Sequence, residues 1–261
     1  MKAGYTGMKP IRKYQRQRER ISSLNANVVF NRNPWMIIWW TAAFPGFGHI
    51  LSGIYIKGFL LMFWEFFANL KSNMNLAIVY SFTGHFEEAK NVMDKGWLLI
   101  YAIGYVYCIW ECSHLSLYLS KFSILARGEN ALTVPLKMND YALNYSNKKS
   151  PGIAALWSVI LPGTGQLYCR RGVTGLVILA GWITASCFSN FFEALYFTLN
   201  GSFSQALNAA DPEWLLFMPS IFCFAFYDAY EVAVEYNMLF DREQFSFLKG
   251  NYQDAGFVMP I

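Results

Sequence analysis

The chain has 261 residues and a net charge of +4, with 55% hydrophobic, 18% aromatic and only 15% charged residues. One or two soluble domains would suit that length, but a composition this apolar excludes an ordinary soluble or disordered protein and points to several membrane crossings. The five cysteines, Cys108, Cys112, Cys169, Cys187 and Cys223, form no C-x-x-C pair and lie in apolar sequence or at a turn, which reads as packed thiols rather than a disulfide framework or zinc site.

Residues 1–33 form a basic arm, in which Lys2, Lys9, Arg12, Lys13, Arg16, Arg18, Arg20 and Arg32 stand against a single acid, Glu19. The arm lacks the apolar stretch of a cleavable secretory signal. Ahead of apolar runs it reads as a positive-inside signal with affinity for anionic lipid, not as a nucleic-acid-binding tail.

Residues 34–120 then give a fixed order of pieces. Ten apolar residues, Trp35 to Phe44, run into the turn Pro45-Gly46-Phe47-Gly48-His49. A long apolar stretch follows from Gly58 to about Thr83, then FEEAKNVM, which reads as a short interfacial helix, then the charge-free run 97–110 led by Trp97. Residues 121–150 are a polar linker containing Pro135 and Asn147-Lys148-Lys149-Ser150. From 151 to 237 the same order returns, with the turn Pro162-Gly163-Thr164-Gly165-Gln166, the stretch from Gly175 to about Asn200, FSQALNAA, and a run led by Trp214. Laying 34–120 on 151–237 at a spacing of 117, without a gap, gives 18 identities in 87 positions. The expectation is two tandem repeats, with a tail at 238–261.

Ten residues are too few for a spanning helix, and the proline and glycines of each P-G-x-G turn break the helix that leads into it. Each first piece is therefore expected to enter the membrane and return as a re-entrant hairpin. That topology puts 18 of the 21 Lys and Arg residues on the cytoplasmic side, including Lys57, Arg170, Arg171, the linker and both chain ends. The loops 84–96 and 201–213, which hold Glu87, Glu88, Asp94, Asp211 and Glu213, then face outward. The expected fold is all-α and integral to the membrane: two parallel repeats, each a hairpin plus two transmembrane helices, related by an axis along the membrane normal. Each 26-residue middle stretch, if one helix, would reach about 39 Å and tilt.

Glu111 and Asp228 fall at matching positions in the last span, and acids in a span need partners. They are expected to accept the backbone N–H groups freed by the P-G-x-G turns, a structural role set against a pathway role. His114 and Glu231 follow three residues later on the same helix face, and Glu235 extends the second stripe. Glu111-x-x-His114 has the spacing of a di-iron helix but occurs once, and a metal is not expected. His49 and Gln166 place a polar group just after each turn, where they close the hairpin. Asn73 and Asn190 match and are expected to hydrogen-bond between helices. Glu65 and Glu193 match Trp182 and Leu76, so neither belongs to the repeat. Nucleophile, phosphate-loop and zinc-protease motifs are missing, so no enzyme and no cofactor is expected.

The run from Leu161 to Gly175 and the Y-D-A-Y run from Tyr227 to Tyr230 resemble small bacterial membrane domains built on a P-G-x-G-Q-x-Y turn, similar to the N-terminal accessory region of maltose-type sugar permeases. The first copy departs from it with His49, Leu51 and Glu111, and the E-A-A-x-x-x-G coupling loop of a permease is missing. The resemblance implies an accessory or scaffold subunit in the cell membrane, packed against other integral subunits and lipid, with a sugar importer as the system it would serve. A small transporter or channel at the repeat interface, passing Glu111 and Asp228, is the alternative.

Overall fold

The computed structural model describes residues 19–22, 25–28, 33–128 and 148–252. Most of the basic arm, residues 129–147 of the linker and residues 253–261 of the tail lie outside the described residues, and so do eight of the 18 Lys and Arg residues expected on the cytoplasmic side.

Within the arm, β1 (Glu19–Ser22) pairs antiparallel with β2 (Asn25–Val28), Glu19 opposite Val28 and Ser22 opposite Asn25. Apart from these two four-residue strands, the described chain is all-α, as expected. The other described elements are helices. The first half holds α1 (Pro34–Ala43), α2 (Phe47–Leu51), α3 (Tyr55–Ser72), α4 (Met74–Phe82), α5 (Phe86–Val92) and α6 (Lys95–Gly128). The second holds α7 (Pro151–Ile160), α8 (Thr164–Tyr168), α9 (Gly172–Phe188), α10 (Phe191–Leu199), α11 (Phe203–Ala209), α12 (Pro212–Leu215) and α13 (Met218–Tyr252). Helices α7 to α12 each begin 117 residues after α1 to α6. The last helix is unbroken in the first half and divided in the second, where Pro219 stands in the first turn of α13 at the position of Ala102 and removes one backbone donor.

Among the described residues, two helical stretches, Lys95–Ile124 and Pro212–Met238, are long and apolar enough to cross a membrane. A third candidate is the pair α9 and α10, bent by 63°. Exposed Trp35, Trp39, Leu60, Phe63, Ile103 and Val106 would be costly against water, and together with the long helices they mark a helical membrane protein.

The two continuous 26-residue helices expected from the sequence are not present. Asn73 and Asn190, at φ of 53° and 51°, sit in the left-handed region and divide α3 from α4 and α9 from α10. Asparagine tolerates this conformation because its short side chain finds a local bond. Asn73 Nδ2 donates to the Val92 carbonyl at 3.0 Å and Asn190 Nδ2 to the Ala209 carbonyl at 3.1 Å, so each break is tied to the end of the following short helix. Asp94 and Asp211 complete the corner: their N–H groups reach the Ser72 and Ser189 carbonyls at 3.3 and 3.0 Å, and their carboxylates cap the next helix at Trp97 N and at Glu213 N.

The halves join along an aromatic column. Phe47 stacks on Phe224 at 3.8 Å, Trp40 packs edge-on to Phe224 at 5.5 Å, and Phe66 and Phe44 close on Phe217. In lipid, where burial itself gives little drive, such packing carries the association, each aromatic pair adding about 0.5–1.5 kcal/mol. Hydrogen bonds mark both ends of the column: Arg171 Nη2 to Tyr55 Oη at 2.9 Å, and Asn75 Nδ2 to the Glu213 carbonyl at 2.9 Å.

Candidate functional site

Pro45 and Pro162 end their helices, and the glycine that follows turns the chain. Gly46 and Gly163 have φ of 102° and 101°, a conformation only glycine adopts without strain. A side chain there would also collide with the next long helix; at Gly163 its Cβ would lie 2.5 Å from the Gly175 carbonyl and 2.9 Å from Leu179 N. Gly58 and Gly175 answer from the other side, since a Cβ at Gly175 would stand 2.8 Å from the Gly163 carbonyl. The second glycines, Gly48 and Gly165, press against Thr41 and Cys112 and against Ala154 and Ala229 respectively. Each turn is thereby clamped between α1 and α3, or α7 and α9, with the last long helix behind it.

Behind the second turn lies a buried ion pair. Arg171, the N-cap residue of α9, donates from Nη1 to Asp228 at 3.1 and 3.3 Å, with Arg171 4% and Asp228 0% exposed. Gln166 Nε2 reaches Asp228 Oδ2 at 3.1 Å and the Ala225 carbonyl at 2.9 Å, while Ser158 Oγ lies 3.5 Å from Gln166 Oε1. The Tyr55 ring of the first half covers the guanidinium at 5.2 Å. A charge-assisted pair with these extra bonds is the form in which a buried carboxylate persists.

The first half builds a looser version. Lys57 donates to Glu111 Oε1, and buried His49 places Nε2 3.6 Å from Glu111 Oε2. Lys57 and Glu111 are 39% and 25% exposed. The cation comes from a different place in each half, one turn inside α3 in the first and at the cap of α9 in the second.

These partners differ from those expected. The Phe47 and Thr164 N–H groups of the turns bond to the Phe44 and Leu161 carbonyls at 3.2 and 3.1 Å, so the acids meet side chains instead. A tight turn can satisfy its own donors, whereas a buried acid needs a cation. Arg171 and Lys57, read from the sequence as cytoplasmic charges, are those cations. His114 turns away from Glu111, its Nδ1 2.9 Å from the Trp110 carbonyl and its ring against the Trp110 ring. Glu231 is half-buried one turn beyond Asp228.

A third polar group was set aside in the sequence. Glu65, 5% exposed, accepts at Oε1 from Tyr101 Oη at 2.9 Å and from Asn69 Nδ2 at 3.3 Å. Asn69 and Asn75 bond to each other, Nδ2 to Oδ1 at 3.1 Å and Asn75 N to Asn69 Oδ1 at 3.2 Å. This cluster lines a cavity of about 510 Å³ between the halves, walled by Phe44, Tyr105, Phe217 and Ser220; neither Glu111 nor Asp228 borders it. Only Glu65's failure to match its counterpart, Trp182, could have flagged it. Comparison with protein-family models, curated proteins and solved structures finds no match for the chain.

Proposed function

We propose that the protein is a non-enzymatic membrane protein of two parallel tandem copies, each a re-entrant P-G-x-G hairpin followed by a bent crossing and a straight one, and that it works as an accessory or scaffold subunit of a membrane complex. Its setting is the bacterial cell membrane, with both chain ends cytoplasmic. The common helix spacing of 117 residues supports the duplication.

One observation carries the partner reading: the halves meet head to tail. Phe224 and Tyr227 of the second half pack on Trp40 and Phe47 of the first. Their counterparts in the first half, Tyr107 and Trp110, are open at 52% and 56%, and Trp157, the counterpart of buried Trp40, is open as well. A heterologous contact of this kind leaves one unused face at each end. The face with Tyr107 and Trp110 also holds the half-open Lys57–Glu111 pair, and we assign it to another integral subunit. The first partner to test is the permease of an ATP-driven sugar importer, which the turn's resemblance implies.

Mild extraction of native membranes tests this, with a photo-crosslinking residue in place of Tyr107 and another in place of Phe82. Stoichiometric capture at position 107 but not at 82 is the expected result, and capture of a second copy would make the partner the protein itself. A monodisperse lone protein with no crosslink at 107 refutes the reading. The alternative, a path between the halves, requires solute or ion flux in liposomes that disappears in Glu111→Gln with Asp228→Asn. The intramolecular pairing of both acids favours the subunit reading.

A further inference from the structure

The chamber beside the aromatic column has the equipment of a ligand site. Glu65 Oε2 is buried and has no hydrogen-bond partner, a state that costs the full desolvation of the group. The helical frame does not require an acid there, because Trp182 fills the matching place in the second half and packs against Phe191 and Phe222. Among the described residues no lysine, arginine or histidine borders the cavity, so they supply no counter-charge.

The surrounding hydrogens decide what kind of molecule fits. Tyr101 gives its hydroxyl hydrogen to Glu65, Tyr105 to the Ala42 carbonyl and Ser220 to the Ala43 carbonyl, while Asn69 Nδ2 serves Glu65 and Asn75. With these donors committed and a carboxylate oxygen left open, the occupant must bring hydrogens and positive charge. Sugar hydroxyls would also need donors from the wall. A bare metal ion would need several oxygen ligands where one carboxylate oxygen is open. The walls contributed by Phe44, Tyr101, Tyr105 and Phe217 suit the face of a cation, and about 510 Å³ is within the size range of small-molecule sites. We propose that this chamber binds a small organic molecule bearing a primary ammonium group, with Glu65 Oε2 as the counter-ion and Tyr101 and Asn69 holding the carboxylate in place. The site is independent of the face assigned to a partner.

The test is calorimetric titration of the full chain in lipid nanodiscs at pH 7 with phenethylamine, and with 2-phenylethanol as its uncharged match. Phenethylamine is expected to bind saturably, and the alcohol at least ten-fold more weakly. Glu65→Gln, which keeps the shape and removes the charge, should weaken the amine at least ten-fold while elution volume and tryptophan emission stay those of the folded protein. Ala102→Trp, on the exposed edge of the cavity, should block the amine with Glu65 intact, and it decides the matter if Glu65→Gln does not fold. Absence of saturable amine binding to the folded wild type overturns the proposal. So does equal affinity for the alcohol, or amine binding undiminished in the folded variants.

Discussion

Asp228 and Glu111 stand at the same point of the two halves, behind the same turn, yet their surroundings have diverged. Asp228 is sealed: it holds Arg171 and Gln166, and the first half lays Tyr55 over the guanidinium. Glu111 holds Lys57 and faces His49, both from its own half, and the pair stays partly open. The difference follows from the contact between the halves, which covers Phe224 and Tyr227 and leaves Tyr107 and Trp110 open. The same chemistry becomes a buried structural pair on one side and a shallow pair on the other. Removing one partner from a buried pair costs about 3–5 kcal/mol, whereas an exposed pair contributes about 0–1 kcal/mol.

The largest expected effect breaks the sealed side. Asp228→Ala leaves Arg171 charged and alone in a dry site, and should destabilise the protein by about 3–5 kcal/mol, read as earlier unfolding when SDS is titrated into mild detergent. Combining Asp228→Leu with Arg171→Met should recover much of that loss, because two apolar groups need no partner.

Next come the turns, where the halves should agree. Gly163→Ala and Gly46→Ala each add backbone strain of about 1–3 kcal/mol, and a similar amount from overpacking against Gly175 and Gly58. Similar losses in both are expected by the same titration. Tolerance of Gly46→Ala alone would mean that the first turn is not clamped as the second is.

Smaller still, Asn73→Ala and Asn190→Ala should each cost about 1 kcal/mol for the lost side-chain bond plus a fraction for the left-handed backbone, seen as faster amide exchange at the bends. Least of all, Glu111→Gln should change stability by less than about 1 kcal/mol, and raising the salt should shrink even that.

Much of the frame was legible in the sequence because identical residues met identical backbone needs. Pro45 and Pro162, Gly46 and Gly163, and Gly58 and Gly175 recur where a helix must stop and two backbones must touch. The short helices after Gly84 and Gly201 were likewise readable from matching Phe, Ala and Asn. Asn73 and Asn190 were found as a pair and do bond between helices, to the ends of α5 and α11, but their second task, the left-handed break, was not read. An asparagine in apolar sequence signals a hydrogen bond, and nothing in hydrophobic periodicity reveals a single left-handed residue.

The cations were missed for a different reason. Lys57 matches Thr174 and Arg171 matches Ile54, so comparing the halves aligns neither cation with the other. Only folding brings both to their acids, by different routes. Glu65 was missed because its chamber draws on α1, α3, α4, α6 and α13 at once, a meeting that no local pattern encodes.

Two double-mutant cycles test the contrast most directly, one for Arg171 with Asp228 and one for Lys57 with Glu111, each read by SDS unfolding in the same lipid–detergent mixture. The account predicts a coupling of about 2–3 kcal/mol for the first and below about 1 kcal/mol for the second. Equal couplings, or the larger one at Lys57–Glu111, would contradict it.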